Sequence, residues 1–268
     1  MKRLLFCALL YVALLPAASQ GQKWAQEQLN KTPRHTEWVD LKQGNRTVKT
    51  FVVYPEVKAK APVVLVIHEI FGLTDWAKLL ADELAAAGYI AVAPDLLSGP
   101  GKDTSSYPDQ GAAIKAVSAL PDAQVFADLD AAAEFAAKIP SSNGVLAVTG
   151  FCWGGGKSFA YANHNPKLKA SYVFYGPPPE TVQGVEHISC PVYGFYAEDD
   201  ARITSTIPQT KELMEKAGKI YEPVVYPGAG HGFMRAGEPG APDASEANRK
   251  VRDAAWERWK GLLKKLSG

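Results

Sequence analysis

Apolar residues in this 268-residue chain fall into short unbroken runs that alternate with longer stretches of helical spacing. Residues 62–67 and 89–93 are continuously apolar, as strands buried on both faces are. Residues 145–149, 170–175, 191–197 and 221–226 predict further strands. Residues 38–42 and 47–54 flank Gln43-Gly44-Asn45-Arg46 and predict an N-terminal antiparallel hairpin. Between the strands, Thr74 caps a predicted helix running to Ala87, which Gly88 ends. After a polar loop at 97–107, two helical stretches meet at Pro121, and the second carries Val125, Leu129, Ala132, Ala133 and Ala136 on one face. Residues 205–217 predict one helix closed by Gly218. Residues 243–266 predict a C-terminal helix, with Trp256, Trp259 and Leu263 as a core stripe. Alternating strands and helices imply an α/β fold with a mostly parallel sheet covered on both faces, of α/β-hydrolase organisation.

The first residues stand apart from this pattern. Met1-Lys2-Arg3 precedes an apolar stretch at 4–15 that is short for a bilayer span, followed by Pro16-Ala17-Ala18-Ser19. Residues 1–19 therefore read as a signal peptide, cut after Ser19 or within the next two residues, with an uncleaved anchor as the alternative. The expectation is an exported protein, periplasmic or secreted, whose residues 20–268 form a single domain. Loss of Lys2 and Arg3 leaves 27 basic residues against 28 acidic ones. That balance gives no electrostatic case for nucleic acid or an anionic membrane surface. A monomer acting on a small molecule is expected. Cys152 and Cys190 could form a disulfide in an oxidising compartment, but the bridge would consume the best nucleophile in the chain. Two free thiols are expected, with Cys190 in the core.

Gly150-Phe151-Cys152-Trp153-Gly154-Gly155 follows the predicted strand 145–149 and opens a helix. Strand, glycine-flanked nucleophile and helix make a nucleophile elbow, here centred on Cys in place of Ser. At a helix N-terminus the dipole and free N–H groups favour a thiolate and a developing oxyanion. A structural Gly-rich turn around a small apolar Cys is the plainer reading. A thiol nucleophile needs a base, and the base needs an orienting acid, in the chain order nucleophile, acid, histidine. His231 lies in Gly228-Ala229-Gly230-His231-Gly232-Phe233, just past the predicted strand 221–226, while His35, His164 and His187 lack such a setting and His68 competes. Glu198, Asp199 and Asp200 all follow the strand 191–197, and spacing alone does not choose among them.

The chain resembles the dienelactone hydrolase family. The resemblance is carried in order by His68-Glu69-Ile70-Phe71-Gly72, Pro94-Asp95-Leu96, the Cys152 elbow, Asp200-Ala201-Arg202-Ile203 and Gly230-His231-Gly232-Phe233. It implies an ester or lactone hydrolase with a Cys152–His231–Asp200 triad, Asp199 being the runner-up for the acid. It also implies that Glu69 contacts the resting thiol and takes its proton when substrate arrives, with His68 a loop neighbour. By position the oxyanion hole belongs to the backbone N–H groups of Ile70 and Trp153. Arg235 matches one of the family's two carboxylate-binding arginines. The other is missing from Leu97-Ser98-Gly99-Pro100-Gly101, which puts dienelactone itself in doubt as substrate. No cofactor is expected, and no His/Cys/Asp cluster has metal-ligand spacing. The alternatives are a non-catalytic relative that binds a small carboxylate, and a thiol-dependent acyl or peptide hydrolase on the same fold.

Overall fold

A computed structural model describes residues 22–99, 101–242 and 244–266. The expected signal peptide at 1–19 lies outside the described residues. Eight strands form one sheet: β1 (Thr36–Gln43), β2 (Arg46–Val53), β3 (Ala61–Ile67), β4 (Ile90–Pro94), β5 (Ser142–Phe151), β6 (Ser171–Phe174), β7 (Val192–Ala197) and β8 (Tyr221–Tyr226). Their order across the sheet is β1-β2-β4-β3-β5-β6-β7-β8. β1 and β2 pair antiparallel through a tight turn at Gly44-Asn45, β2 runs antiparallel to β4, and the other pairs are parallel.

The helices are α1 (Lys23–Leu29), α2 (Asp75–Ala86), α3 (Gln110–Ser118), α4 (Asp122–Lys138), α5 (Trp153–His164), α6 (Ala201–Thr204), α7 (Ile207–Lys216), α8 (Phe233–Ala236) and α9 (Glu246–Lys264). Strand alternation divides the core into two layers. Val64 and Val66 of β3 face a cluster with Trp76 and Leu80 of α2 and Trp259 and Leu263 of α9. Val63, Leu65 and Ile67 face the opposite cluster, with Leu129 of α4, Phe159 of α5 and Met214 of α7. Every residue of β3, β4 and β7 is buried, which is why these strands read as unbroken apolar runs.

Three differences from the sequence reading concern the helices. The single helix expected at 205–217 is split into α6 and α7 at Ser205-Thr206. Pro208 lies in the first turn of α7, where its missing N–H and fixed φ suit a helix start. The C-terminal helix begins at Glu246, because the Ser245 hydroxyl caps it by accepting the Asn248 N–H at 3.0 Å. α1 has no counterpart in the apolar pattern: of its seven residues only Ala25 is buried. Among the described residues no helix is long and apolar enough to cross a membrane.

Candidate active site

The six parallel strands end on one edge of the sheet, and each is followed there by a side chain of chemical interest. These are Glu69 after β3, Asp95 after β4, Cys152 after β5, Tyr175 after β6, Asp200 after β7 and, a few residues on, His231 after β8. Sites of open α/β sheets assemble at this carboxyl edge.

Cys152 occupies the turn between β5 and α5 with φ 56° and ψ −120°. Such a turn requires that nothing project from its flanks. A Cβ on Gly150 would strike the Gly154 carbonyl, and one on Gly154 would strike the carbonyl oxygens of Ile67 and His68. The glycines thus let α5 start directly against β3 and β5, and Cys152 becomes its N-terminal cap residue. Among the described residues no hydrogen bond engages the N–H of Ile70 or of Trp153. Both donors remain available to an oxyanion.

His231 Nδ1 and Asp200 Oδ2 lie 2.5 Å apart. Asp200 is buried, whereas Glu198 and Asp199 are exposed, and Glu198 instead accepts the Gly228 N–H at 3.0 Å. Of the three acids, the structure therefore joins Asp200 to the histidine. The Cys152 side chain lies close enough to the same imidazole to favour its charged form. Burial opposes charge on His231, yet the Asp200 carboxylate and a negative Cys152 sulfur outweigh it and raise its pKa to about 9.

Glu69 is buried, 3 % exposed. Its Oε2 accepts Arg235 Nε–H at 3.0 Å, and its Oε1 faces the Tyr175 hydroxyl at 3.4 Å. Burial pushes its proton affinity up, against the opposing pull of Arg235, His231 and Tyr175. Arg235 is thus held on Glu69, and its guanidinium lies 5.5 Å from the Phe71 ring centroid. His68 is fully buried: Nδ1–H donates to the Glu69 carbonyl at 2.7 Å and Nε2 accepts the Leu96 N–H at 3.4 Å. Burial lowers its proton affinity, and its ring stacks on Trp153 at 5.7 Å. A neutral imidazole bonded on both sides braces the turn that carries Glu69 and Ile70. Asp95 does the same for the following loop, accepting the N–H groups of Leu97 and Thr104 and the Thr104 hydroxyl.

Tyr175 escaped the sequence reading, since a tyrosine ending an apolar strand carries no signal of its own. Cys152 and Cys190 are both free thiols. Cys190 is buried beside β7, where burial pushes its thiol up to about 11. Among the described residues no group of three or more His, Cys, Asp or Glu is arranged to hold a metal ion. A cavity of about 500 Å³ lies at the far end of the sheet between α4, α5 and the start of β5. Asp130, Glu134, Ser142, His164 and Lys167 help line it, and none of the residues above does. Chemistry and cavity volume therefore point to different places, and the convergence of acid, base and thiol at the carboxyl edge decides between them.

Comparison with known proteins identifies the family. Residues 48–267 match the dienelactone hydrolase family. A protein of Methylorubrum extorquens named "Putative carboxymethylenebutenolidase" is 34 % identical over 237 residues, covering 84 % of this chain and 81 % of its own. A protein of the same name from Salmonella typhimurium is 35 % identical over 206 residues, covering 73 % and 76 %. The crystal structure of a "Putative Dienelactone Hydrolase" from Klebsiella pneumoniae subsp. pneumoniae superposes with a TM-score of 0.75 at 30 % identity, over 87 % of this chain and 99 % of that one. With its sheet order, its elbow and a family match over most of its length, the chain belongs to the dienelactone hydrolase family and is a hydrolase of ester or lactone bonds.

Proposed function

We propose that the protein hydrolyses small carboxylic esters or lactones through a thioester on Cys152, with His231, Asp200 and Glu69 dividing the proton transfers. The observation that carries this reading is the convergence on one strand edge of a strained Cys152, an Asp200-bound His231 and a buried Glu69.

The division of labour follows from charge. Asp200 favours the imidazolium form of His231, which suits it to give a proton to the leaving group more than to take one from the thiol. Glu69 can take the thiol's proton, because burial has raised its proton affinity above that of an ordinary carboxylate. The Cys152 thiol passes its proton to Glu69, and the sulfur attacks the carbonyl carbon. The N–H groups of Ile70 and Trp153 stabilise the oxyanion. As the alcohol or enol oxygen leaves, His231 protonates it and becomes neutral. Neutral His231 then takes a proton from water, the hydroxide attacks the thioester, and sulfur departs to recover its proton from Glu69. The carboxylic acid product leaves, and all four groups return to their starting state.

Arg235 sets a condition on the substrate. A substrate carboxylate would compete with Glu69 for its guanidinium and release Glu69 toward the thiol. Hydrolysis of short-chain nitrophenyl esters, measured before and after thiol alkylation, tests the reading. Turnover abolished by alkylation is expected; turnover that survives full alkylation of Cys152 contradicts it.

A further inference from the structure

Among the described residues, two that are not glycine have positive φ: Cys152 at 56° and Tyr175 at 40°. They follow neighbouring strands. Cys152 N–H donates to the Phe174 carbonyl at 3.0 Å, and Tyr175 N–H donates to the Phe195 carbonyl at 2.8 Å. For a bulky aromatic residue such a φ is strained and persists only where the surroundings impose it. The strain at Cys152 is explained by the elbow. That at Tyr175 calls for its own account.

The turn at Tyr175 aims its side chain back into the site. The ring is fully buried, edge-on to His231 at 5.0 Å and to Phe233 at 5.2 Å. Its hydroxyl lies 3.4 Å from Glu69 Oε1, on the other side of the carboxylate from Arg235. Packing alone accounts for the ring but not for a buried hydroxyl directed at a buried carboxylate, since phenylalanine would fill the same volume.

We infer that Tyr175 is a positioning residue: its hydroxyl steers the Glu69 carboxylate toward Cys152, and its ring keeps Glu69 and His231 apart as separate acid–base groups. The inference rests on the reading of Glu69 as acceptor of the thiol's proton. No bond to Tyr175 forms or breaks; its O–H donates and keeps its proton. Donation to the ionised carboxylate favours the form that can take the thiol's proton. Arg235 favours the same form but is the group an anionic substrate would occupy, whereas Tyr175 stays bonded throughout. At 3.4 Å the resting contact is long for an O–H···O bond, which leaves it room to shorten as Glu69 turns away from Arg235.

The test is the pH dependence of Cys152 acylation in single turnovers with a neutral nitrophenyl ester. Tyr175→Phe keeps the ring and removes the donor. Its acylation should slow roughly 3- to 10-fold at acidic pH and converge on wild type at alkaline pH, as the acidic limb moves upward. Fluorotyrosine at 175, a stronger donor, should move that limb the other way and serves equally if the phenylalanine variant folds poorly. In a Glu69→Gln background, Tyr175→Phe should add nothing, because it acts through Glu69. A uniform loss at every pH, or an acidic limb unmoved in both 175 variants, would overturn the inference while leaving Glu69 as acceptor. An acidic limb that persists in Glu69→Gln alone would overturn the reading of Glu69, and the role of Tyr175 with it.

Discussion

At the residue scale, the account depends on which acid orients the histidine. Asp200 is buried and bonded to His231, while Asp199 is exposed and donates its backbone N–H to the Ala229 carbonyl at 3.0 Å. Asp200→Asn should lower kcat roughly 10²- to 10⁴-fold, since it removes the charge that stabilises the imidazolium. Asp199→Asn should leave kcat within a small factor of wild type; steady-state kinetics of the two variants compares them directly. Arg235→Ala separates two roles. It deprives Glu69 of its cation for every substrate, and it deprives only anionic substrates of a binding partner. The extra loss of kcat/KM on a carboxylated ester over its neutral counterpart should correspond to about 1.5–3 kcal/mol, one charge-assisted hydrogen bond. Equal losses on both would make Arg235 a holder of Glu69 alone. Much of this site was legible in the chain. Glycines mark Cys152 and His231 because tight turns leave a compositional trace, and chain order suggested the roles proposed for them. Tyr175 and the bracing by His68 were not legible, because both arise from contacts between elements distant in sequence.

At the element scale, the elbow is a packing device. A methyl group on Gly150 has no room against the Gly154 carbonyl, whereas one on Gly261 in α9 meets nothing within 4 Å. Gly150→Ala should therefore destabilise the fold by about 1–3 kcal/mol or more. Gly261→Ala should stabilise it by about 0.4–1 kcal/mol, through a less flexible unfolded chain. Denaturant midpoints of the two variants give the opposite signs directly. The same contrast explains which elements the sequence announced. β3, β4 and β7 are sandwiched between helical layers, so every position is apolar. α1 and α8 were silent: the first buries one residue, and the second spans four residues, too few for a period to show. The break between α6 and α7 could have been read from Pro208, which starts helices more readily than it sits within them.

At the scale of the whole molecule, one buried cluster ties the helical layer to the site. Arg252 of α9 donates to Glu83 of α2 and to Glu238, three residues beyond Arg235, and Trp76 donates to Glu238 at 3.4 Å. The buried Glu238 and the half-buried Glu83 share one guanidinium, and desolvation together with Glu238 pushes Glu83 up to about 8. The folded chain thus holds a proton there that the unfolded chain releases near pH 4 to 5. Stability from this group is full below that range and is lost as pH rises through about 8. The melting temperature should fall between mildly acidic and alkaline pH. Because the raised pKa of His231 contributes a loss of the same sign, Glu83→Gln should flatten the fall only in part. The central claim is covalent, and one measurement reaches it: acid quenching of the enzyme during turnover of nitrophenyl acetate, followed by mass spectrometry of the peptide that contains Cys152. The account predicts an acetyl group on that peptide, localised to the Cys152 sulfur. An acetyl group on another side chain, with Cys152 unmodified while turnover proceeds, would contradict it.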